Sequence, residues 1–597
     1  MYTVLIATGA FVLYMVAYRT YGRFLARRIF RIDPSRTPPS EEYRDDVDFV
    51  PSRKELVFGH HFTSIAGTGP IVGPAIAVVW GWVPALLWVL VGSVVMGAVH
   101  DFGSLVISMR HQGRTIADLA SDVVNPRVRV LFMLVVLVGL WIVLAVFGLV
   151  IATIFKDYPA SVGPVWLQIP IAIGLGFWMR RGRSLLLGSV VAVALMYATI
   201  VLSASIHWAT PDDPTGMHLL PPALTSVISP NAFWTLILLA YVFIASVLPV
   251  QWLLQPRDYI NSHQLLIAMG LLLVGLVVAR PALVADAINV APAPAAEGGV
   301  VPAFFPFLFV TIACGAISGF HCLVASGCSS RQLRTEADAQ YVGYGAMLME
   351  GFLATLVILA CTAGIGLGTT GGLTGHEAWL AHYGSWGGSR PLGDKLAPFV
   401  VGSANVIERL GLSQSLAIAI MGVFVASFAS TTLDSSCRLQ RYVISELGVG
   451  GRGFRIPALG NRFVATGVAV ATAGVLALSD VPSVGLAHAG RGGLVLWPVF
   501  GATNQLLGGL ALLVVTVWLV KQRRRAVVTA IPMAFMLAMT GWAIAELIAG
   551  FAHSEGKAHL LIVSILMLAM EVWIVIEAGV LMARHRRPTG APAPANP

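Results

Sequence analysis

The run GHHFTSIAGTGPIVGP at residues 59–74 decides the fold. It sits inside an apolar segment, 56–80, that is long enough to cross a bilayer, for which about 20 residues suffice. Pro70 and Pro74 lack amide donors, and Gly59, Gly67, Gly69 and Gly73 loosen the backbone, so a helix here should break midway. Freed backbone groups in hydrocarbon cost several kcal/mol each unless a cavity, ligand or ion satisfies them. Small residues also serve close helix packing. Two histidines beside the prolines favour a binding site, with His60, His61, Ser64, Gly67, Thr68 and Gly69 as substrate-binding candidates.

A second interrupted segment lies at 303–328, where Gly315, Ser318, Gly319 and His321 gather. Alternating the spans makes it run opposite to 56–80. Paired broken helices of opposed direction mark an inverted repeat around a midplane site. Working outward, fifteen spans follow the helical pattern: 2–18, 56–80, 84–109, 128–154, 163–179, 184–206, 231–254, 264–284, 303–328, 341–368, 413–436, 462–479, 494–520, 526–550 and 558–582. Strand signals are absent. The five spans from 56 to 206 match in register the five beginning at 303, 341, 413, 462 and 494. The expected fold is therefore all-α and polytopic, a five-plus-five inverted repeat with discontinuous helices and extra helices around it. Its parts are an N-terminal helix and cytoplasmic loop (1–55), a first repeat (56–206), an inserted helix pair with external loops (207–302), a second repeat with the external loop 369–412 (303–520), two C-terminal helices (521–583) and a disordered tail (584–597). The half-polar stretch 396–412 suits an external helix lying over the bundle as a lid.

Composition agrees: 57% of the 597 residues are hydrophobic, 11% are charged and the mean hydropathy is +0.81. A water-soluble globule with a polar shell is excluded. The basic run Arg19, Arg23, Arg27, Arg28 and Arg31 follows the first span, which has no signal-peptide cleavage pattern. Placing that run inside puts the N-terminus outside and the C-terminus in the cytoplasm. The same topology assigns 31 of the 38 Lys and Arg residues to cytoplasmic segments and 7 to the outside. The net charge of +9 thus reports orientation and gives no reason to invoke nucleic acid. Five cysteines show no zinc spacing and read as small packing thiols.

Ionisable groups at depth are costly and tend to face the interior. Glu350, well inside 341–368, is the candidate proton carrier, with the histidines as alternatives. Asp101, Asp258 and Asp434 lie near cytoplasmic span ends, where capping or pairing with Arg110, Arg257 or Arg438 is the default and gating by Asp258 and Asp434 the sharper reading. In the eighth core span, Ser427, Ser430 and Thr431 fit the helical spacing of a possible sodium site, although such hydroxyls also bond their own backbone. Residues 67–73 lack the pattern of a phosphate loop, His376-Glu377 lacks the second histidine of a zinc protease, and no nucleophile elbow is present.

These residues resemble the carbon starvation protein A family of bacterial peptide transporters. The matching runs are GHHFTSIAGTGPIVGP at 59–74, QPRDYIN at 255–261, ISGFHCLVASG at 317–327, GYGAMLMEG at 343–351, FASTTLDSSCRLQRY at 428–442 and LWPVFGATNQLLGG at 496–509. The resemblance implies import of small peptides across the bacterial inner membrane during carbon limitation, with proton-coupled pyruvate uptake in close relatives. It also implies a LeuT-like fold of the amino acid-polyamine-organocation superfamily, and it nominates Asp258, Glu350, Asp434, Asn504 and Gln505 as interior polar positions, with Asn504 and Gln505 joining the substrate-binding set. The expected protein is a secondary transporter using a proton or sodium gradient, with the lipid bilayer as its surroundings, no cofactor, no enzymatic activity and no obligate protein partner. A channel, a starvation sensor and a membrane enzyme are the rivals from other classes. Saturable, counterflow-competent uptake separates a transporter from a channel.

Overall fold

A computed structural model of the chain describes residues 1–210, 215–294, 301–368, 372–386, 392–449, 456–554 and 556–586. Most of the expected tail therefore lies outside the described residues, as do parts of the loops 207–230, 285–302, 369–412 and 437–461. Among the described residues there is no strand, only two isolated bridges, Ser52–Leu333 and Trp208–Met217. Thirteen helices among the described residues are long and apolar enough to cross a membrane. Two of the fifteen expected spans fall outside that set. Residues 303–328 divide into Phe304–Thr311 and Gly319–Gly327, and Arg462–Ala477 is a helix of 16 residues.

The first break is where proline and glycine put it. Helix Lys54–Ala66 ends at Gly67, whose φ of +36° suits glycine, and the chain resumes as helix Gly69–Ala77. A Cβ on Gly67 would also stand 2.4 Å from the Thr432 hydroxyl. Backbone freedom and close approach thus require the same residue.

The two broken helices run antiparallel. With outer and inner named by the expected orientation, outer half Gly69–Ala77 packs on Phe304–Thr311 and inner half Lys54–Ala66 packs on Gly319–Gly327, so the start of each lies beside the end of the other. The remaining packing respects the same exchange. Helix Leu185–Ala204 of the first repeat meets Gln414–Val449 of the second, while Trp497–Lys521 of the second meets Pro126–Asp157 of the first. Likewise Gly69–Ala77 packs on Gly345–Thr362, and Gly319–Gly327 packs on Ala98–Met109. This reciprocity is the five-plus-five inverted repeat expected from the register match. Helices Pro126–Asp157 and Gln414–Val449 pack extensively on each other at its centre. Peripheral helices turn bare apolar side chains outward, as with Leu186, Val190 and Leu202 on Leu185–Ala204, a surface that suits lipid.

Two boundaries differ from expectation, and both extend helices through polar sequence. The run QPRDYIN, which lies between the expected spans 231–254 and 264–284, forms the start of helix Leu254–Ala279. Pro256 is tolerated there because first-turn amides have no intrahelical partner. This helix packs along Lys54–Ala66. Helix Gln414–Val449 continues well past residue 436 into the expected cytoplasmic loop. The external helix spans Leu392–Glu408 and lies over Gln414–Val449, with the Gly364 and Gly402 backbones in close apposition.

Candidate functional site

Between the outer halves of the broken helices lies a cavity of 710 Å³, inside the roughly 300–1,000 Å³ range of small-molecule sites. Thr68 and Gly69 line it from the first break and Ala313 and Cys314 from the second. Phe147, Phe307, Trp386, Trp497 and Phe500 supply aromatic wall, and both signs of charge are present in Asp394, Lys395, Glu546 and Lys557. The external helix contributes Asp394, Lys395 and Pro398, so the segment expected as a lid forms part of the wall. Burial holds the Lys395 ammonium below its ordinary pKa. Sequence reasoning missed these wall residues because aromatic side chains on helices read equally well as lipid-facing or core.

The second break is propped by the tenth core helix. Asn504 Oδ1 accepts from the Phe320 amide at 2.9 Å, and the Asn504 carboxamide exchanges hydrogen bonds with the Ser318 hydroxyl. Gln505 donates to the carbonyls of Phe309 and Ile317, both at 3.2 Å. These side chains satisfy backbone groups that the missing helical turn releases. Gly319 is fixed by the same contact, since a Cβ there would stand 2.3 Å from the Asn504 carbonyl. None of Ser318, Gly319, Asn504 and Gln505 lines the cavity.

Beneath the floor is a buried set of titratable side chains. His60 Nδ1 stands 2.5 Å from Asp258 Oδ2, and His61 Nδ1 is 2.8 Å from the Ser329 hydroxyl. His321 bridges two carboxylates, with Nδ1 3.0 Å from Asp101 Oδ2 and Nε2 3.3 Å from Glu350 Oε2. Asp434 takes Arg257 and the Tyr241 hydroxyl. The default pairings of the aspartates are thus exchanged: Asp101 pairs with His100 and His321, Asp258 with His60 and Asp434 with Arg257, while Arg110 takes Glu336 and Arg438 takes Asp48. Helix Leu254–Ala279 lies against Lys54–Ala66, which puts Asp258 beside His60 where no spacing rule reaches.

The eighth core helix is stitched to the first break. Thr431 donates to the Thr63 carbonyl and Thr432 to the Ser64 carbonyl, both at 2.9 Å, and Ser64 meets Ser435 at 2.8 Å. Of the other two proposed sodium ligands, Ser427 accepts from Gln168 at 2.8 Å and Ser430 donates to its own helix at Ala426. The structure therefore brings Thr431 to the broken backbone and turns Ser427 and Ser430 elsewhere.

Loop residues ahead of the first broken helix close the end of the bundle next to Lys54–Ala66. Asp48 accepts from Arg438 at 2.7 Å and from Arg441 at 3.0 and 3.1 Å. Burial would raise the Asp48 pKa, but Arg438, Arg441 and Arg331 outweigh it and hold the carboxyl well below the usual carboxylate range. The flanking amides of Val50 and Ser52 donate to the carbonyls of Arg331 and Gln332.

The family model described as carbon starvation protein CstA matches residues 2–367 and 392–543. The protein named peptide transporter CstA from Campylobacter jejuni is 33% identical over 90% of this chain and 79% of its own length. The protein named pyruvate/proton symporter BtsT from Escherichia coli is 32% identical over 89% of this chain and 80% of its own length. Among solved structures, a manganese transporter from Eremococcus coleocola aligns over 91% of this chain and 99% of its own, at 11% identity and a TM-score of 0.45.

Proposed function

This chain belongs to the carbon starvation protein CstA family, and from that premise we propose that it imports small peptides across the bacterial inner membrane by proton-driven alternating access. One observation carries the choice of substrate: the cavity over the two breaks bears both cationic and anionic side chains within aromatic walls. A zwitterionic peptide needs both signs, whereas pyruvate offers a single carboxylate. Both outer helix halves contribute lining to this space, although they touch where Gly73 meets the Thr311 carbonyl, and the inner halves pack together above the Asp48 seal. Substrate enters from the outside, the orientation favoured by the excess of Lys and Arg in the opposite loops.

Glu350 is the coupling carboxylate in this reading. Its oxygen and His321 Nε2 face each other as buried polar atoms, and neither has a hydrogen-bond partner. A proton shared between them satisfies both. Release of that proton inward, with the peptide, then requires the inner halves to part and the pairs at Asp258 and Asp434 to reorganise, so these two act as gates. His60, His61 and Ser64 lie along the inner route, and Thr68 and Gly69 touch the peptide first. Sodium coupling keeps one supporting contact, Thr431 on the Thr63 carbonyl.

Counterflow in proteoliposomes tests the reading. Labelled dialanine should exchange saturably, faster than labelled pyruvate, and uptake should collapse with a protonophore. Exchange of pyruvate with no exchange of any dipeptide would overturn the peptide assignment in favour of a pyruvate/proton symporter.

A further inference from the structure

Cys314 Sγ, a ring nitrogen of His321 and a carboxylate oxygen of Glu350 all lie within 4.8 Å of one another, and all three residues are buried. The second shell is in place as well. His321 Nδ1 is engaged by Asp101 Oδ2, and Asp101 Oδ1 is held by His100 Nδ1 at 2.7 Å. Donation from Nδ1 fixes the tautomer and aims the Nε2 lone pair away from Asp101, the arrangement that orients a metal-binding imidazole. Nε2 and both Glu350 oxygens are buried without a hydrogen-bond partner. Nε2, the Glu350 oxygens and the Cys314 thiol thus lie together in one buried cluster.

We propose that Cys314, His321 and Glu350 bind one divalent transition-metal ion of borderline softness, of the zinc class. Sulfur, imidazole nitrogen and carboxylate oxygen are the donor types such ions take, whereas calcium and magnesium take oxygens. Around a tetrahedral ion with bonds of about 2.0–2.3 Å, ligand atoms stand roughly 3.3–3.8 Å apart. The 3.3 Å between His321 Nε2 and Glu350 Oε2 already matches. Cys314 also lines the cavity above, which gives the ion a side from which to approach. On binding, the Cys314 thiol proton and any proton held between His321 Nε2 and Glu350 pass to water, and the thiolate, imidazole and carboxylate take the metal, with no redox change. The donor geometry stands independently of the peptide assignment, whereas an ion on His321 and Glu350 would displace the coupling proton proposed for the same pair.

Cobalt titration of the purified full chain in detergent tests the proposal. The wild-type protein should bind one equivalent of cobalt, show a thiolate-to-cobalt charge-transfer band, and lose the band when zinc is added. Cys314→Ser, a near-isosteric change, should abolish the band, while Cys361→Ser at a separate buried thiol should leave it unchanged. Asp101→Asn should weaken cobalt binding by roughly 10–100-fold with the band energy retained, as loss of an outer-shell partner does. Absence of the band in wild-type protein, or its persistence in Cys314→Ser, overturns the proposal. Metal-free counterflow is measured alongside, so a failed metal site leaves the transport reading standing or falling on its own result.

Discussion

At the scale of single residues, Glu350 and Gly69 make opposite demands on their surroundings. Glu350 needs something electropositive beside it. Replacing it with Gln removes the charge and keeps the shape, so gradient-driven uptake should fall at least tenfold while counterflow, which needs no net proton movement, persists. An unchanged pH dependence of uptake would show that the coupling carboxylate lies elsewhere. Gly69 needs nothing at all at its Cβ, where Cys314 Sγ already stands 2.2 Å away. Gly69→Ala should therefore distort the cavity floor and raise the KM for peptide, and adding Cys314→Gly, which removes both Sγ and the Cβ that would stand 2.4 Å away, should restore much of it, because the clash involves one pair. Two additive defects in that double variant would place the cause outside this contact. Gly69 was legible in the sequence as a helix breaker. Cys314 was not, since a thiol among small residues reads as packing until the fold carries it to the break.

At the scale of elements, the two interruptions are built differently. The first is written in its own residues, with Gly67 at positive φ and two prolines following. The second is held open from outside by Asn504 and Gln505, about 185 positions away in the chain, which is why glycine content pointed to the segment but not to its support. Asn504→Ala should leave the buried Phe320 amide without an acceptor and cost about 1–3 kcal/mol, read as a lower melting temperature in detergent. Asn504→Asp keeps an acceptor for that amide and should recover part of the loss; equal destabilisation in both would argue against this hydrogen bond as the cause. Helix Leu254–Ala279 shows the same limit. Gln255, Arg257, Asp258 and Asn261 look like a solvated turn in one dimension, yet they are buried against the inner half of the first broken helix and the Asp434 region. Polar residues in a membrane protein report an interior as readily as a loop, and only the partner decides which.

For the whole molecule, the seal at Asp48 separates the two faces. Asp48→Asn would leave Arg331, Arg438 and Arg441 gathered without their counter-charge, a loss of about 3 kcal/mol for a broken buried pair. Cysteine labelling from the cytoplasmic side should rise in that variant, and unaltered labelling would remove Asp48 from gating. The pH sense follows from its depressed pKa. Stabilisation by a carboxylate held below its unfolded value is complete above about pH 4 and fades as the pH drops further, so wild type and variant should differ near neutrality and converge in strong acid. On the opposite face, one side of the cavity is formed by Glu546, Leu547 and Phe551, from a helix that belongs to neither repeat. A chain ending at Lys521 would keep all ten elements of the transport engine and still have a missing flank. Acyl tails would spill sideways through that gap, and the compartment would behave as an extension of the oil around it, closed to any solute that must arrive with its water.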